Sequence, residues 1–163
     1  MALKIPGAKN KLFEHSKETG EGLYNSKNPP QDIANKEEEY SIPAAAFQPE
    51  RNSGLIIDIG YGICYAESEG PATYVASIKL PDGAKIKSCI VYGTNATKTY
   101  AIMRANYAGW AAAINGYTNI GTIQTMPGNI IVDNKNYQYE INATMVAEDK
   151  IYGAKIVYER NFI

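Results

Sequence analysis

The sequence has a single histidine, His15, and only two cysteines, Cys64 and Cys89. That scarcity removes most site chemistry at once. A nucleophilic hydrolase needs a base beside its Ser or Cys, and the sole imidazole lies in a polar stretch that cannot build a pocket around it. A zinc centre needs Cys and His ligands at close spacing, which one histidine and two widely separated cysteines do not offer. There is no Gly-rich loop ending in Lys-Ser or Lys-Thr, and Gly60-Tyr61-Gly62 is too short to signal a dinucleotide site. Net charge is also lacking, at -1 with a pI near 5.9. A protein that gains affinity by neutralising phosphates carries a basic surplus, so nucleic acid is not expected as a partner.

Long apolar runs are absent too. No stretch reaches the roughly 20 residues needed to span a bilayer, and the N-terminus lacks the basic-then-apolar pattern of a secretory signal. The expectation is a soluble chain made in the cytoplasm, with no membrane partner and with Cys64 and Cys89 as buried, reduced thiols acting as small hydrophobes. The sequons at Asn95 and Asn142 then carry no glycan.

The acids offer little more. Glu67 and Glu69 flank Gly70-Pro71, Asp82 forms a turn, and Asp133 leads into Asn134, so each has an ordinary structural role. No catalytic residue, metal ligand or cofactor is assigned, and the chain is expected to be non-enzymatic.

What is abundant is tyrosine, thirteen against three phenylalanines and one tryptophan, together with fourteen glycines. Tyrosine suits pleated, half-wet surfaces and glycine suits tight turns. The composition therefore leans to an all-β fold.

Residues 1–39 differ in character from the rest. They are charged, rich in Asn, Lys and Gly, and without a sustained period of 3.6 or 2. Such a segment buries too little apolar surface to offset its own ordering entropy. It does carry spaced apolar anchors: Leu3 and Ile5, Leu12 and Phe13, Leu23 and Tyr24. Asn28-Pro29-Pro30 stiffens its middle and blocks helix, and residues 36–39 look like a solvated lead-in. The pattern predicts an extended arm that gains order by lying on other copies of the chain, on a capsid or fibre protein, or on the flank of its own domain.

Residues 40–163 break into short β-rich runs punctuated by turn residues. In the run 137–145, Tyr137, Tyr139, Ile141, Ala143 and Met145 alternate with polar residues, which predicts a half-buried strand. In 151–158, Tyr152, Ala154, Ile156 and Tyr158 are expected to share a face, and the two runs are expected to pair as a hairpin. Runs 73–78 and 85–92 flank Leu80-Pro81-Asp82-Gly83, a corner in which Pro presets φ and Asp-Gly tolerates the bend. Further strands are expected at 42–47, 55–59, 64–66, 99–105 and 117–125, with 108–116 as a long connection across the molecule. Strands at this spacing predict an antiparallel two-sheet sandwich, jelly-roll-like, preceded by the extended arm.

The order of landmarks resembles an uncharacterised β-sandwich domain of bacterial and phage-related proteins, often found beside collagen-like or tail-fibre modules. The landmarks are Tyr-Ser-Ile-Pro-Ala-Ala-Ala-Phe-Gln-Pro at 40–49 and Val-Ala-Ser-Ile-Lys-Leu-Pro-Asp-Gly-Ala-Lys-Ile at 75–86. Val-Asp-Asn-Lys-Asn-Tyr-Gln-Tyr at 132–139 and Ile-Tyr-Gly-Ala-Lys-Ile-Val-Tyr at 151–158 complete the set. The resemblance spans the C-terminal three quarters of the chain and implies a fold with no assigned catalytic residues. Where that family has an acid-bearing polar turn, this chain has Gly93-Thr94-Asn95-Ala96-Thr97.

Two functions follow as expectations. The first is a structural subunit of a phage virion, a head-decoration or fibre protein anchored by its arm. The second is a carbohydrate-binding or adhesive module on a bacterial surface or outside the cell, with Tyr61, Tyr65, Tyr107, Trp110 and Tyr117 as candidate aromatics on which sugar rings would stack.

Overall fold

Strand-forming residues with alternating burial recur along the domain, and the computed structural model assembles them into two antiparallel sheets. It describes residues 36–50, 63–65, 70–128 and 130–160. The strands are β1 (Glu37–Pro43), β2 (Gln48–Pro49), β3 (Cys64–Tyr65), β4 (Ala72–Ile78), β5 (Lys85–Gly93) and β6 (Thr99–Asn106). They continue with β7 (Ala111–Ala113), β8 (Thr118–Asn119), β9 (Gln124–Thr125), β10 (Tyr137–Met145) and β11 (Lys150–Glu159). The first sheet runs β1-β11-β5-β9, with β3 continuing the line of β1 along β11. The second runs β2-β4-β10-β6-β7, with β8 also on β6. The fold is therefore the all-β, antiparallel two-sheet sandwich expected from the turn-punctuated pattern.

Inward side chains of both sheets form one core. Ile86, Val91, Ile151 and Ile156 from the first sheet face Tyr74, Tyr100, Ile102, Ile141 and Met145 from the second, all essentially fully buried. Each large apolar side chain so buried contributes on the order of 2 kcal/mol. The alternation in β10 is as the sequence implies: Tyr139, Ile141, Ala143 and Met145 are buried, with Gln138 exposed. Cys64 and Cys89 are free and buried, and burial pushes their thiols up to about 11 and about 12.

The pairing differs from the sequence expectation in an instructive way. β10 and β11 do not form a hairpin: β10 pairs with β4 and β6, whereas β11 pairs with β1, β3 and β5. Nor do β4 and β5 pair across Leu80-Pro81-Asp82-Gly83, since they lie in opposite sheets. A tight corner and alternating flanks describe equally well a hairpin within one sheet and an arch between two, and here the arch is used. The reverse error occurs at 108–116, where β7 folds back onto β6 as a short edge strand instead of crossing the sandwich.

Local differences have local causes. The expected strand 42–47 begins earlier, as β1, and ends at Pro43, which has no N–H to continue a ladder. Ala44–Ala46 then forms a single 3-10 turn closed by the Phe47 N–H on the Ala44 carbonyl. Residues 37–39 are thus strand and not lead-in, with Glu38 paired to Arg160 and Glu39 to Lys155. The run 117–125 is split into β8 and β9 by a turn at Gly121, whose φ is +82. In β11 a register shift between Ile151 and Gly153 puts Ile151 on the core side and turns Tyr152 outward, against the face expected for it. Gly153 sits at φ +138, and a Cβ there would lie 2.7 Å from the Ile42 carbonyl oxygen. Only glycine meets both conditions. The expected strand at 55–59 lies outside the described residues, and 64–66 is described as strand only for Cys64–Tyr65.

Candidate functional site

One end of the sandwich gathers the start of β10, the ends of β4 and β6, and three connections. The Leu80-Pro81-Asp82-Gly83 corner and the 132–136 turn are clamped together there. The Gly83 N–H donates to the Val132 carbonyl at 2.8 Å, and the Val132 N–H donates to the Ala84 carbonyl at 2.8 Å. The Asn134 N–H reaches Asp82 Oδ1 at 2.7 Å, and Asn134 Nδ2 reaches the Leu80 carbonyl at 2.9 Å. Asp133 folds its own turn, accepting from Asn136 Nδ2 at 2.8 Å and from the backbone N–H groups of Lys135 and Asn136. Bonding first from the Asn136 amide holds its carboxyl below the usual range. Two of the sequence landmarks are thus the two halves of one clamp, which gives Asp82 and Asp133 the turn-forming work expected of them.

Beside this clamp the β6–β7 turn, residues 106–110, presents two aromatic rings. Asn106 Oδ1 accepts from the Ala108 and Trp110 N–H groups, the Asn106 N–H donates to the Trp110 carbonyl at 2.9 Å, and Gly109 takes φ +87. The turn is therefore rigid while its side chains are not buried: Tyr107 is 64% and Trp110 58% exposed. The Tyr107 hydroxyl donates to the Asn134 carbonyl at 3.1 Å, tying the turn to the clamp. A groove of about 310 Å³ opens at this junction, lined by Ser77, Lys79, Asn134, Tyr137, Gln138 and Glu140 as well as Tyr107. Tyr139, also in its wall, is shared with a second groove of about 290 Å³ lined by Arg104, Ala112, Ala113, Ile114, Ile130 and Ile131. The Arg104 guanidinium stacks 4.4 Å from the centre of the Tyr137 ring.

Of the aromatics singled out from sequence, Tyr107 and Trp110 come together on this turn. Tyr117 is 63% exposed but belongs to the connection between β7 and β8 and lines neither groove. That connection is pinned by Gln124, whose side-chain amide donates to the Asn115 and Gly116 carbonyls. Tyr61 and the side chain of Tyr65 lie outside the described residues, as do the arm anchors Leu3, Ile5, Leu12, Phe13, Leu23 and Tyr24. Arg104, Asn134, Tyr137, Gln138 and Glu140 were not singled out from sequence. Alternation identifies which strand residues share a face, and does not say which strand ends meet.

Glu140 is the carboxyl group in the groove wall. Burial pushes it above the ordinary carboxylate range, the charge of Glu50 adds to the rise, and a side-chain hydrogen bond with Asn142 opposes it. Asn142 Oδ1 is itself buried with no hydrogen-bond partner among the described residues. The carboxylate oxygens of Glu140 and the side-chain amides of Asn134 and Gln138 give the groove wall both acceptors and donors for hydroxyl groups. Among the described residues no three His, Cys, Asp or Glu side chains cluster as metal ligands, and no helix is long and apolar enough to cross a membrane.

Neither family models nor curated proteins match the chain. Among solved structures, the chain is similar to the crystal structure of the enzymatically active domain of tailspike protein 4 from bacteriophage CBA120. The two are 15% identical with a TM-score of 0.31, and the match covers 78% of this chain but 19% of the tailspike domain. The chain thus spans about a fifth of the length of the structure it matches. This finding overturns the expectation of a non-enzymatic protein, because the matched domain is described as enzymatically active, and that expectation is withdrawn. The likeness assigns no activity to this chain.

Proposed function

We propose that this chain is a phage-particle subunit, a head-decoration or fibre protein, whose sandwich binds carbohydrate at its clamped end. The observation that carries the ligand-binding part is Tyr107, which lines a groove walled by amides and a carboxyl group and stands with the exposed Trp110 on one turn closed through Asn106. Large exposed rings on a fixed backbone are a standing invitation to a ligand with flat apolar faces, and neighbouring Asn and Gln side chains supply directional hydrogen bonds to hydroxyls. Support for the virion setting is the resemblance of residues 40–163 to a domain found beside tail-fibre modules. In this setting the arm that precedes β1 contacts other copies of the chain or a capsid or fibre protein through Leu3, Ile5, Leu12, Phe13, Leu23 and Tyr24.

The test uses the full chain on an array of bacterial surface polysaccharides, beside Trp110→Ala and Tyr107→Ala. Binding by the parent that falls at least tenfold in both variants, with unchanged melting temperature, supports the site. Equal binding by all three removes it. The arm is tested separately by sedimentation of the full chain and of a Leu12→Asp, Phe13→Asp variant, where an identical size distribution counts against self-contact through those anchors.

A further inference from the structure

We infer that the saccharide taken at this end is acidic, with Arg104 receiving a carboxylate, sulfate or phosphate group of the sugar. The inference rests on the carbohydrate reading above and narrows it to a charge class. Arg104 stands on β6, opposite Tyr139 of β10 and Ala112 of β7, and lines the second groove. Its guanidinium stacks on the Tyr137 ring at 4.4 Å, which fixes the plane of its fork without using its N–H donors. Among the described residues no carboxylate pairs with it. A guanidinium presents five donors in a fork that matches carboxylate, sulfate and phosphate oxygens. Here the fork is held, exposed and without a described anionic partner.

The surroundings decide the sign of the ligand. The other residues lining the second groove are Ala112, Ala113, Ile114, Ile130, Ile131 and Tyr139, so no acid in its wall neutralises Arg104. A single guanidinium in a groove wall without an acid favours an anionic group on the ligand. The first groove adds Lys79, which forms no ion pair among the described residues. Its one lining acid is Glu140. The nearby acids Asp82 and Asp133 are directed into turns, accepting from Asn134, Lys135 and Asn136. Tyr139 lines both grooves.

The experiment compares the full chain with Arg104→Gln and Arg104→Lys on an array carrying acidic and neutral bacterial polysaccharides. Affinities are then measured at two salt concentrations. The expected result is selection of acidic glycans, weaker at higher salt. Arg104→Gln should lower affinity about tenfold to a hundredfold, the range for a charge-assisted hydrogen bond. Arg104→Lys keeps the charge but not the fork and should fall between, which separates a lost contact from a lost fold. Selection of neutral glycans, with loss in Trp110→Ala, overturns the acidic assignment and leaves the carbohydrate site intact. Acidic glycans bound equally by the parent and Arg104→Gln overturn the role of Arg104. Binding to no glycan overturns both readings.

Discussion

The interior between the sheets and the rim at the clamped end use the same residue, tyrosine, in opposite ways. Inside, Tyr100 is fully buried, and its hydroxyl lies 2.7 Å from the Cys89 and Thr122 carbonyls while accepting from the Gln124 N–H at 3.2 Å. One phenol thereby joins β6, β5 and β9, and so both sheets. At the rim, Tyr107 holds a single hydrogen bond at its tip and leaves most of its ring in water. The difference teaches that abundance of one amphipathic residue is two signals superimposed. Tyr100 is marked by a satisfied hydroxyl, and Tyr107 by the hydrogen-bonded turn beneath it.

The largest expected effect lies with neither tyrosine but with the backbone that lets the sheets form. Gly153→Ala puts a Cβ 2.7 Å from the Ile42 carbonyl oxygen at a φ of +138, and should lower stability by about 3 kcal/mol in urea unfolding. A variant as stable as the parent would mean that the β11 bulge is free to relax. Next, Tyr100→Phe strips the node of its hydroxyl and should cost about 1–3 kcal/mol. Tyr74→Phe is the contrast, because the buried Tyr74 hydroxyl has no hydrogen-bond partner among the described residues, and its removal should be neutral or stabilising. If the two Phe variants behave alike, the distinction between satisfied and unsatisfied interior tyrosines fails.

Alkaline titration sharpens the same contrast through Cys89, whose carbonyl the Tyr100 hydroxyl approaches. The folded thiol is raised to about 12 from 9.0, so its contribution is fully present below pH 9 and is lost as pH rises from there towards 12. Stability should fall by about 1 kcal/mol for this thiol by pH 10. Cys89→Ala should lower overall stability while flattening that slope, and an unchanged slope would exclude the thiol as its source. The smallest stability effect is at the rim. Trp110→Ala should change stability by less than about 0.5 kcal/mol, while glycan binding is lost.

Much of the fold was legible because burial alternation is local. Tyr137–Met145 was found to the residue, since every second side chain there is apolar. The corner at Leu80 to Gly83 was equally plain from Pro and Asp-Gly. Partnership was not legible, because a turn signal does not say whether the chain returns to its own sheet or departs for the other. Tyr152 was placed on the wrong face because a bulge changes the parity of a strand, and its only mark in the sequence is Gly153. The candidate site was half visible. Tyr107 and Trp110 stood out as aromatics among turn residues, whereas Arg104 and Glu140 looked like ordinary strand positions until three distant strand ends were brought to one place.

β11 has a bearing on how the molecule is born. It is the last of the described strands and yet the hub of its sheet, with β1 and β3 on one flank and β5 on the other. During translation, Glu37 waits for its pairing partner Glu159, 122 positions further on (159 − 37). The first sheet therefore has no central member until β11 is made, and closure across so large a sequence separation is intrinsically slow. Nascent chains halted before β11 would carry unpaired strand edges, the surface that chaperones hold and that aggregates grow from.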